Sequence, residues 1–180
     1  MTAVVIDTNV LLVANNRHGG VSAPCITACV RRLLEIRDSG TVVLDDGRRI
    51  IREYAGNFQP TRQPGVGDEF FKWLAQNQAN VQRVHQVQIY ESGAGEFAQF
   101  PDAALQAEFD PPDRKFVATS AAHADRPPIV QAADSKWVAW WERLEQHGIR
   151  VQFPCPHDIK RFYAGKFPDA GPPVLPGDQP

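Results

Sequence analysis

The fold is decided by residues 4–12, which read Val4-Val5-Ile6-Asp7-Thr8-Asn9-Val10-Leu11-Leu12. Three consecutive apolar residues without polar alternation predict a strand that is buried on both faces of a parallel sheet. The strand stops at Asp7, and an apolar helix start follows it. The stretch therefore predicts a strand-to-helix unit with a carboxylate at the carboxyl end of the strand.

The same alternation of strands and helices continues along the chain. Apolar runs predict strands over residues 41–44, 128–131 and 149–153, with a weaker one at 85–90. Helical spacing and end signals predict helices over 21–38, about 50–58, 68–77, 113–123, 134–148 and 158–163. Residues 92–110 carry no clear pattern. This order predicts an α/β fold, a three-layer α/β/α architecture with a mainly parallel central sheet.

Composition predicts one globular domain over residues 1–164. The chain has 180 residues, of which 43% are hydrophobic, so it is long enough for one proper core. Residues 165–180 are rich in proline and glycine, which predicts a disordered tail. A net charge of −2 argues against a broadly basic nucleic-acid binder, but it allows a local basic rim around an acidic pocket.

No targeting or membrane segment is expected. Met1-Thr2-Ala3 runs directly into the first strand, and no apolar run approaches the roughly 20 residues of a membrane helix. These features predict a cytoplasmic protein without membrane contact. Cys25, Cys29 and Cys155 are accordingly interpreted as buried free thiols in a reducing cytosol. A zinc site that combines them with His157 is the alternative, although its ligand spacing is unusual.

Carboxylates recur at the ends of predicted strands and on two predicted helices. They are Asp7, Asp45, Asp46 and Asp134 after strands, and Glu53 and Asp113 on helices. Each one alone also suits a cap or a turn. Parallel neighbouring strands would bring the group to one edge of the sheet, where the carboxylates repel one another unless a cation neutralises them. Mg²⁺ or Mn²⁺ is the natural cation for oxygen ligands.

The order of these motifs resembles that of PIN-domain nucleases over residues 3–153. Asp7 stands in the opening strand-Asp-Thr-Asn motif, Glu53 in Ile50-Ile51-Arg52-Glu53-Tyr54, Asp113 in Asp113-Arg114-Lys115-Phe116, and Asp134 after Ile129-Val130-Gln131. The resemblance implies a ribonuclease in which Asp7, Glu53, Asp113 and Asp134 hold Mg²⁺ or Mn²⁺ and act in hydrolysis of RNA phosphodiester bonds. It also implies a possible toxin role with an antitoxin partner, and a possible homodimer.

The residues around these acids complete the predicted site. Thr8 and Asn9 are expected to orient Asp7 and nearby water, and Ser135 to support Asp134. Two features depart from the family pattern. Lys136 stands where members often carry another acid, so one firmly bound ion is expected instead of two. The region of about residues 56–110 is also longer than a minimal PIN domain needs, which makes it an insert that could change the substrate.

Basic side chains flank the predicted acids and suggest contacts with the RNA backbone. The candidates are Arg17, Arg49, Arg52, Arg114 and Lys136. Trp137, Trp140 and Trp141 repeat at helical spacing, which favours the core or a dimer face over base stacking.

Two other functions remain open. A haloacid-dehalogenase-like phosphatase also begins with a strand that ends in a nucleophilic Asp, but it normally needs a second Asp where Asn9 stands here. A catalytically silent PIN-like domain that binds RNA or protein is the other alternative, and Lys136 is its best support.

Overall fold

The computed structural model describes residues 3–59 and 63–178. Its central sheet has five parallel strands in the order β3-β2-β1-β6-β7, and β4 and β5 form a separate antiparallel hairpin. The strands are β1 (Ala3–Ile6), β2 (Thr41–Asp45), β3 (Val84–Val87), β4 (Glu91–Gly93), β5 (Glu96–Phe97), β6 (Ile129–Val130) and β7 (Val151–Gln152).

Eight α-helices accompany these strands within the described residues. They are α1 (Thr8–Ala14), α2 (Ala23–Ser39), α3 (Arg49–Asn57), α4 (Val66–Asn77), α5 (Ala103–Glu108), α6 (Arg114–Ala122), α7 (Trp137–Gln146) and α8 (Pro156–Lys166). A 3-10 turn at Pro111–Asp113 leads into α6. The helices flank the parallel sheet, so the predicted three-layer α/β/α fold is confirmed. Within the described part of the chain, no helix combines the length and apolar character needed to cross a membrane.

The central position of β1 agrees with its apolar composition. Val4, Val5 and Ile6 are fully buried, and β1 pairs in parallel with β2 on one side and β6 on the other. Its register places Ala3 opposite Thr41 and Val5 opposite Ile129. Because both neighbours are parallel, the residues that follow the three strands emerge at the same edge of the sheet. This edge holds the candidate site.

Helix α7 contributes the largest apolar side chains to the core. Trp137 is fully buried, and Trp140 and Trp141 are nearly so. The ring of Phe109 lies 3.9 Å from that of Trp140 and meets Trp137 edge-on at 5.2 Å. Aromatic pairs in these arrangements stabilise a core beyond the area that they bury. The prediction that these tryptophans pack in the interior is confirmed.

Residues 56–110 belong largely to the domain itself. Helix α4 packs against α1 and α2, and β3 forms an edge strand of the main sheet. The β4–β5 hairpin and α5, which the sequence left unassigned, lie outside that sheet. Most of residues 56–110 is therefore part of the α/β domain, and the β4–β5 hairpin and α5 follow β3 outside the main sheet.

The cysteines differ from the prediction of three free thiols. Cys25 and Cys155 form a disulfide, and Cys29 alone is free and buried. The Sγ atom of Cys29 lies 3.7 Å from that of Cys155, and burial raises the pKa of the Cys29 thiol to about 12. The partners are separated by 130 residues, so no local spacing indicated their pairing.

The tail also differs from the prediction of disorder. Helix α8 extends to Lys166, and the following segment packs back on the domain through Leu175, which is 3% exposed beside Val138 and Ile159. The indole nitrogen of Trp141 donates a hydrogen bond of 2.9 Å to the carbonyl of Val174. An ion pair of 2.6 Å between Lys160 and Asp178 adds to these contacts. Together they order a segment whose composition predicts disorder; residues 179 and 180 lie outside the described residues.

Candidate functional site

The four predicted metal ligands gather at the carboxyl edge of the sheet. Asp7 follows β1, and Asp134 lies four residues after β6, the strand adjacent to β1. Glu53 lies on α3, and Asp113 ends the 3-10 turn before α6. Charges on Asp113, Glu53 and Asp134 each raise the pKa of Asp7. The fold thus brings together acids that are more than 120 residues apart in the chain.

Asp7 is the most deeply buried member of this group, at 5% exposure. Burial raises its pKa well above the usual 3.8, and the charge of Asp113 raises it further. Its Oδ1 atom accepts a hydrogen bond of 2.9 Å from the backbone N–H of Asn9, which caps α1 and lowers the pKa in part. Asp7 is therefore a helix cap, and it is also a carboxylate whose ionisation needs a nearby cation.

Asp113 is the second carboxyl group with a strongly raised pKa. Burial raises its pKa to about 7, followed by the charges of Asp134 and Asp110, while Lys115 opposes them. Carboxylate oxygens of Asp110, Asp113 and Asp134 all lie within 4.8 Å of one another. A single divalent ion can contact oxygens at such separations, and hard cations of this kind prefer carboxylate ligands.

Two lysines supply positive charge to the group. The Nζ of Lys115 contacts Glu53 and donates to the carbonyl of Pro112, and Lys115 is itself 7% exposed. The Nζ of Lys136 contacts Asp110, and this hydrogen bond raises the pKa of Lys136. Five carboxylates thus face two ammonium groups among the described residues, which leaves three formal negative charges when every group is ionised.

Hydrogen bonds from neighbouring residues hold the acids in place. Thr8 donates to Glu53 instead of orienting Asp7, so its predicted role differs. The side-chain Oδ1 of Asn9 accepts a 2.9 Å hydrogen bond from the N–H of Ala132, which ties the start of α1 to the segment after β6. The Oδ1 of Asp134 accepts from the N–H of Lys136 at 3.0 Å. Ser135, which follows Asp134, is buried.

Tyr54 connects the site to the core. It is 2% exposed, and its hydroxyl donates to the carbonyl of Ile6, the last residue of β1. Burial raises the pKa of Tyr54, and the charge of Asp7 adds to this effect. The phenol therefore stays protonated beside the acids and anchors α3, the helix that carries Glu53, to the end of β1.

Asp45 and Asp46 follow β2 but do not join the group of acids. Asp45 is buried and accepts hydrogen bonds of 2.9 Å from the N–H groups of Arg49 and Ile50, so it caps the start of α3. Asp46 is exposed. Asp45 therefore has a structural role as a helix cap, which is common for an aspartate at the end of a strand.

Two of the predicted RNA-binding side chains point inward. Arg17 makes two hydrogen bonds, of 3.1 and 2.7 Å, to buried Asp68, and is mostly buried itself. The Nε of Arg114 donates to the carbonyl of Phe109, and Arg114 is 8% exposed. Both cations are committed to the protein interior, which differs from the prediction that they contact RNA. Their partners lie outside the local sequence pattern, so that pattern gave no sign of them.

The remaining predicted contacts lie nearer the surface. Arg52 is exposed, and Arg49 is partly exposed between Asp45 and Glu91, with N–O distances of 3.4 and 3.1 Å. Lys136 is tied to Asp110. The lining of one open surface groove includes Arg49, Arg52 and Lys115.

Sequence reasoning missed Asp110 as a member of the group and the inward role of Lys115. The signal for Asp110 was its place three residues before Asp113, with the two prolines between them that form the 3-10 turn. Such a turn brings residues at this spacing to the same side. No comparable signal marked Lys115, because its neighbours in the sequence suggested a surface charge.

The donor set suits a hard divalent cation. All the grouped ligands are carboxylate oxygens, as Mg²⁺ and Mn²⁺ prefer. The zinc site considered for the cysteines is not supported, because two of the three sulfur atoms are joined in the disulfide. The phosphatase alternative needs an acid/base group where Asn9 stands. Asn9 offers none, and its side-chain oxygen accepts a hydrogen bond from the N–H of Ala132, so the alternative is not supported.

Comparison of the chain with protein-family models, with curated proteins and with solved structures finds no match. The PIN-domain resemblance accordingly stays a prediction from the order of the motifs.

Proposed function

We propose that the protein is a divalent-metal-dependent ribonuclease that hydrolyses RNA phosphodiester bonds at the Asp7 group. One observation carries the proposal: five carboxylates, of which Asp7 is buried and the others are partly exposed, face only two lysines, and burial together with the charges of Asp134 and Asp110 raises the pKa of Asp113 to about 7. Closely grouped like charges that are partly removed from solvent are stabilised by a cation or by protonation. Catalytic metal centres have this character.

The ion would be held by Asp110, Asp113 and Asp134, whose carboxylate oxygens lie within 4.8 Å of one another, with Asp7 as a further ligand beside them. Glu53 is paired with Lys115, and Asp110 would exchange its contact with Lys136 for the ion. When bound, Mg²⁺ or Mn²⁺ supplies activation of water and stabilisation of the charge that develops on the phosphoryl oxygens. The pairing of Asp110 with Lys136 supports the earlier expectation of one firmly held ion.

The choice of RNA as substrate comes from the resemblance to PIN-domain nucleases. Two observations support it. The motifs around Asp7, Glu53, Asp113 and Asp134 follow the order of the family, and exposed Arg52 stands directly beside Glu53 in the chain. An acidic centre next to exposed cations suits a phosphodiester substrate, because the cations bind phosphate while the acids hold the ion.

Cleavage of a fluorogenic RNA with Mn²⁺ tests the proposal. We expect activity with wild-type protein, loss of activity with EDTA, and a decrease of at least about a hundredfold in Asp7→Asn, since this change removes a ligand charge. Asp46→Asn is the matched control, because it makes the same change at an exposed strand-end acid outside the group. The nuclease proposal fails if Asp7→Asn cuts RNA as well as Asp46→Asn does, or if EDTA has no effect.

The second candidate is a PIN-like module that binds RNA or protein without catalysis. It is favoured by the two lysines, since Lys115 and Lys136 contact acids that a fully metal-loaded centre would use. The same RNA assay separates the two functions. Folded protein that binds RNA but cuts none with Mg²⁺ or Mn²⁺ would support the silent module.

The remaining expectations stay predictions. A toxin role, an antitoxin partner and a homodimer come only from the resemblance. The Cys25–Cys155 disulfide argues against the predicted cytoplasmic location, since such bonds persist mainly in oxidising compartments. Counting free thiols in protein isolated under alkylating conditions would distinguish a reduced pool from an oxidised one.

A further inference from the structure

A surface groove runs beside the candidate site. One side is formed by the start of α3, with Arg49 and Arg52, and the other by the β4–β5 hairpin, with Glu91 and Phe97. Pro112 and Lys115 close the end nearest the acids. The hairpin lies in the part of the chain that the resemblance to PIN domains does not account for, so its role must be inferred from its own contacts.

The hairpin is a fixed wall. Phe97 is 4% exposed and packs with Ile89, and its N–H donates a 2.7 Å hydrogen bond to buried Gln106. Gly95 has a φ of +76°, and a Cβ there would lie 3.3 Å from the Cβ of Pro111. Gly95 therefore permits both the tight turn and the close approach of the hairpin to the 3-10 turn. The wall is positioned before any ligand binds.

The groove has an excess of positive charge. Arg52 is exposed and, among the contacts of the described residues, has no acidic partner. Arg49 lies 5.5 Å from the ring centre of Phe97 and donates from Nε to Glu91 at 3.1 Å. Glu91 also accepts from the N–H of Gly95 at 3.2 Å, so the hairpin presents one carboxylate to one of the two arginines.

The groove and the acidic group share a boundary residue. Lys115 lines the groove, and its Nζ contacts Glu53. Arg52 precedes Glu53 on α3. A chain of phosphates lying along the groove would therefore lead from Arg49 and Arg52 to Lys115 and reach the candidate metal ligands.

We infer that this hairpin-walled groove binds the phosphate backbone of the RNA strand next to the bond that is cleaved, an inference that rests on the proposed function. Arg52 binds phosphate directly. Arg49 binds phosphate in competition with Glu91, so the hairpin carboxylate limits affinity for RNA and favours release. The β4–β5 hairpin thus determines how tightly substrate is held on this side of the site.

Fluorescence anisotropy with a labelled single-stranded RNA in EDTA tests the inference without any cleavage. Arg52→Glu should weaken binding about tenfold. It should also reduce the slope of the logarithm of the binding constant against the logarithm of the salt concentration by the equivalent of about one phosphate contact. Arg31→Glu, an exposed position on α2 outside the groove, is the matched control with the same change in charge and should alter binding less than about twofold. Glu91→Gln keeps the acceptor for Gly95 but removes the charge, and should tighten binding about threefold.

The outcomes separate this inference from the proposed function. If Arg52→Glu and Arg31→Glu bind RNA equally, or if Glu91→Gln weakens binding while its thermal midpoint is unchanged, the groove is not the binding surface, even when the wild type cleaves RNA. Wild-type protein that binds no RNA also overturns the inference. If Arg52→Glu weakens RNA binding more than Arg31→Glu does but no metal supports cleavage, the groove is confirmed as the binding surface and the ribonuclease proposal fails.

Discussion

Asparagine in place of Asp113 should stabilise the metal-free protein above neutral pH. The carboxyl of Asp113 has a pKa of about 7 because burial and the charges of Asp134 and Asp110 disfavour its ionised form. Asparagine is close in size and never ionises, so the variant avoids that unfavourable charge. The perturbation therefore asks whether the acids in the folded protein repel one another as the geometry indicates.

The magnitude follows from the difference between the folded and unfolded pKa values of Asp113. The span from 3.8 to about 7 corresponds to roughly 4 kcal/mol at about 1.4 kcal/mol per pH unit. Because the carboxyl is partly exposed and its titration is linked to that of Asp7, we expect about half of this, roughly 2 kcal/mol. For a chain of this length, that gain raises the thermal midpoint by about 4–8 °C.

The stability difference between the variant and wild type depends on pH. The unfolded chain releases the Asp113 proton near 3.8, whereas the folded protein keeps it up to about 7. The folded state binds more protons in that window, so wild-type stability falls as pH rises through it and the full cost is present above it. The advantage of Asp113→Asn should therefore grow from about pH 4 to about pH 7 and stay constant above.

Thermal unfolding of both proteins in EDTA across this pH range, and again with Mn²⁺, provides the measurement. Saturating Mn²⁺ should stabilise wild type more than the variant, since bound ion raises the thermal midpoint by mass action. The difference in midpoint between the two proteins should therefore disappear. Asp46→Asn is the control and should change stability by less than about 0.5 kcal/mol. If the two proteins in EDTA have the same thermal midpoint at high pH, or if the difference between them does not vary with pH, the acids do not repel one another as proposed.

Three further predictions follow from other contacts. Asp68→Ala should lower the free energy of unfolding by about 3 kcal/mol in urea denaturation, because it leaves the largely buried Arg17 without its carboxylate; a loss under about 1 kcal/mol would contradict the importance of this pair. Cys155→Ser should lower it by about 2–4 kcal/mol and leave free thiols that react with Ellman's reagent after unfolding, whereas the oxidised wild type should show one. Lys136→Ala should release Asp110 and increase the number of Mn²⁺ ions bound in calorimetry from one towards two, and an unchanged number would show that Lys136 does not limit the site.

Much of the fold could be predicted because its signals are local. The unbroken apolar run of β1 indicates burial on both faces, which a strand inside a parallel sheet provides. The predicted bounds of α2 agree with the structure within a few residues, and Ser22 accepts from the N–H of Cys25 at 3.3 Å as the expected cap. The β4–β5 hairpin was not predicted, because its short strands have little alternation and are held by contacts with α5 and the 3-10 turn.

The sequence by itself indicated that Asp7 ends a buried strand of a parallel sheet and that further acids follow on later strands and helices. Only the tertiary structure decided which charges meet. It turned Arg17 towards Asp68, paired Lys115 with Glu53, brought Asp110 to Asp113 and Asp134, and joined Cys25 to Cys155. The physical reason is the sequence separation over which each interaction acts. Periodicity and caps involve residues a few positions apart, whereas these ion pairs and the disulfide depend on how distant elements pack.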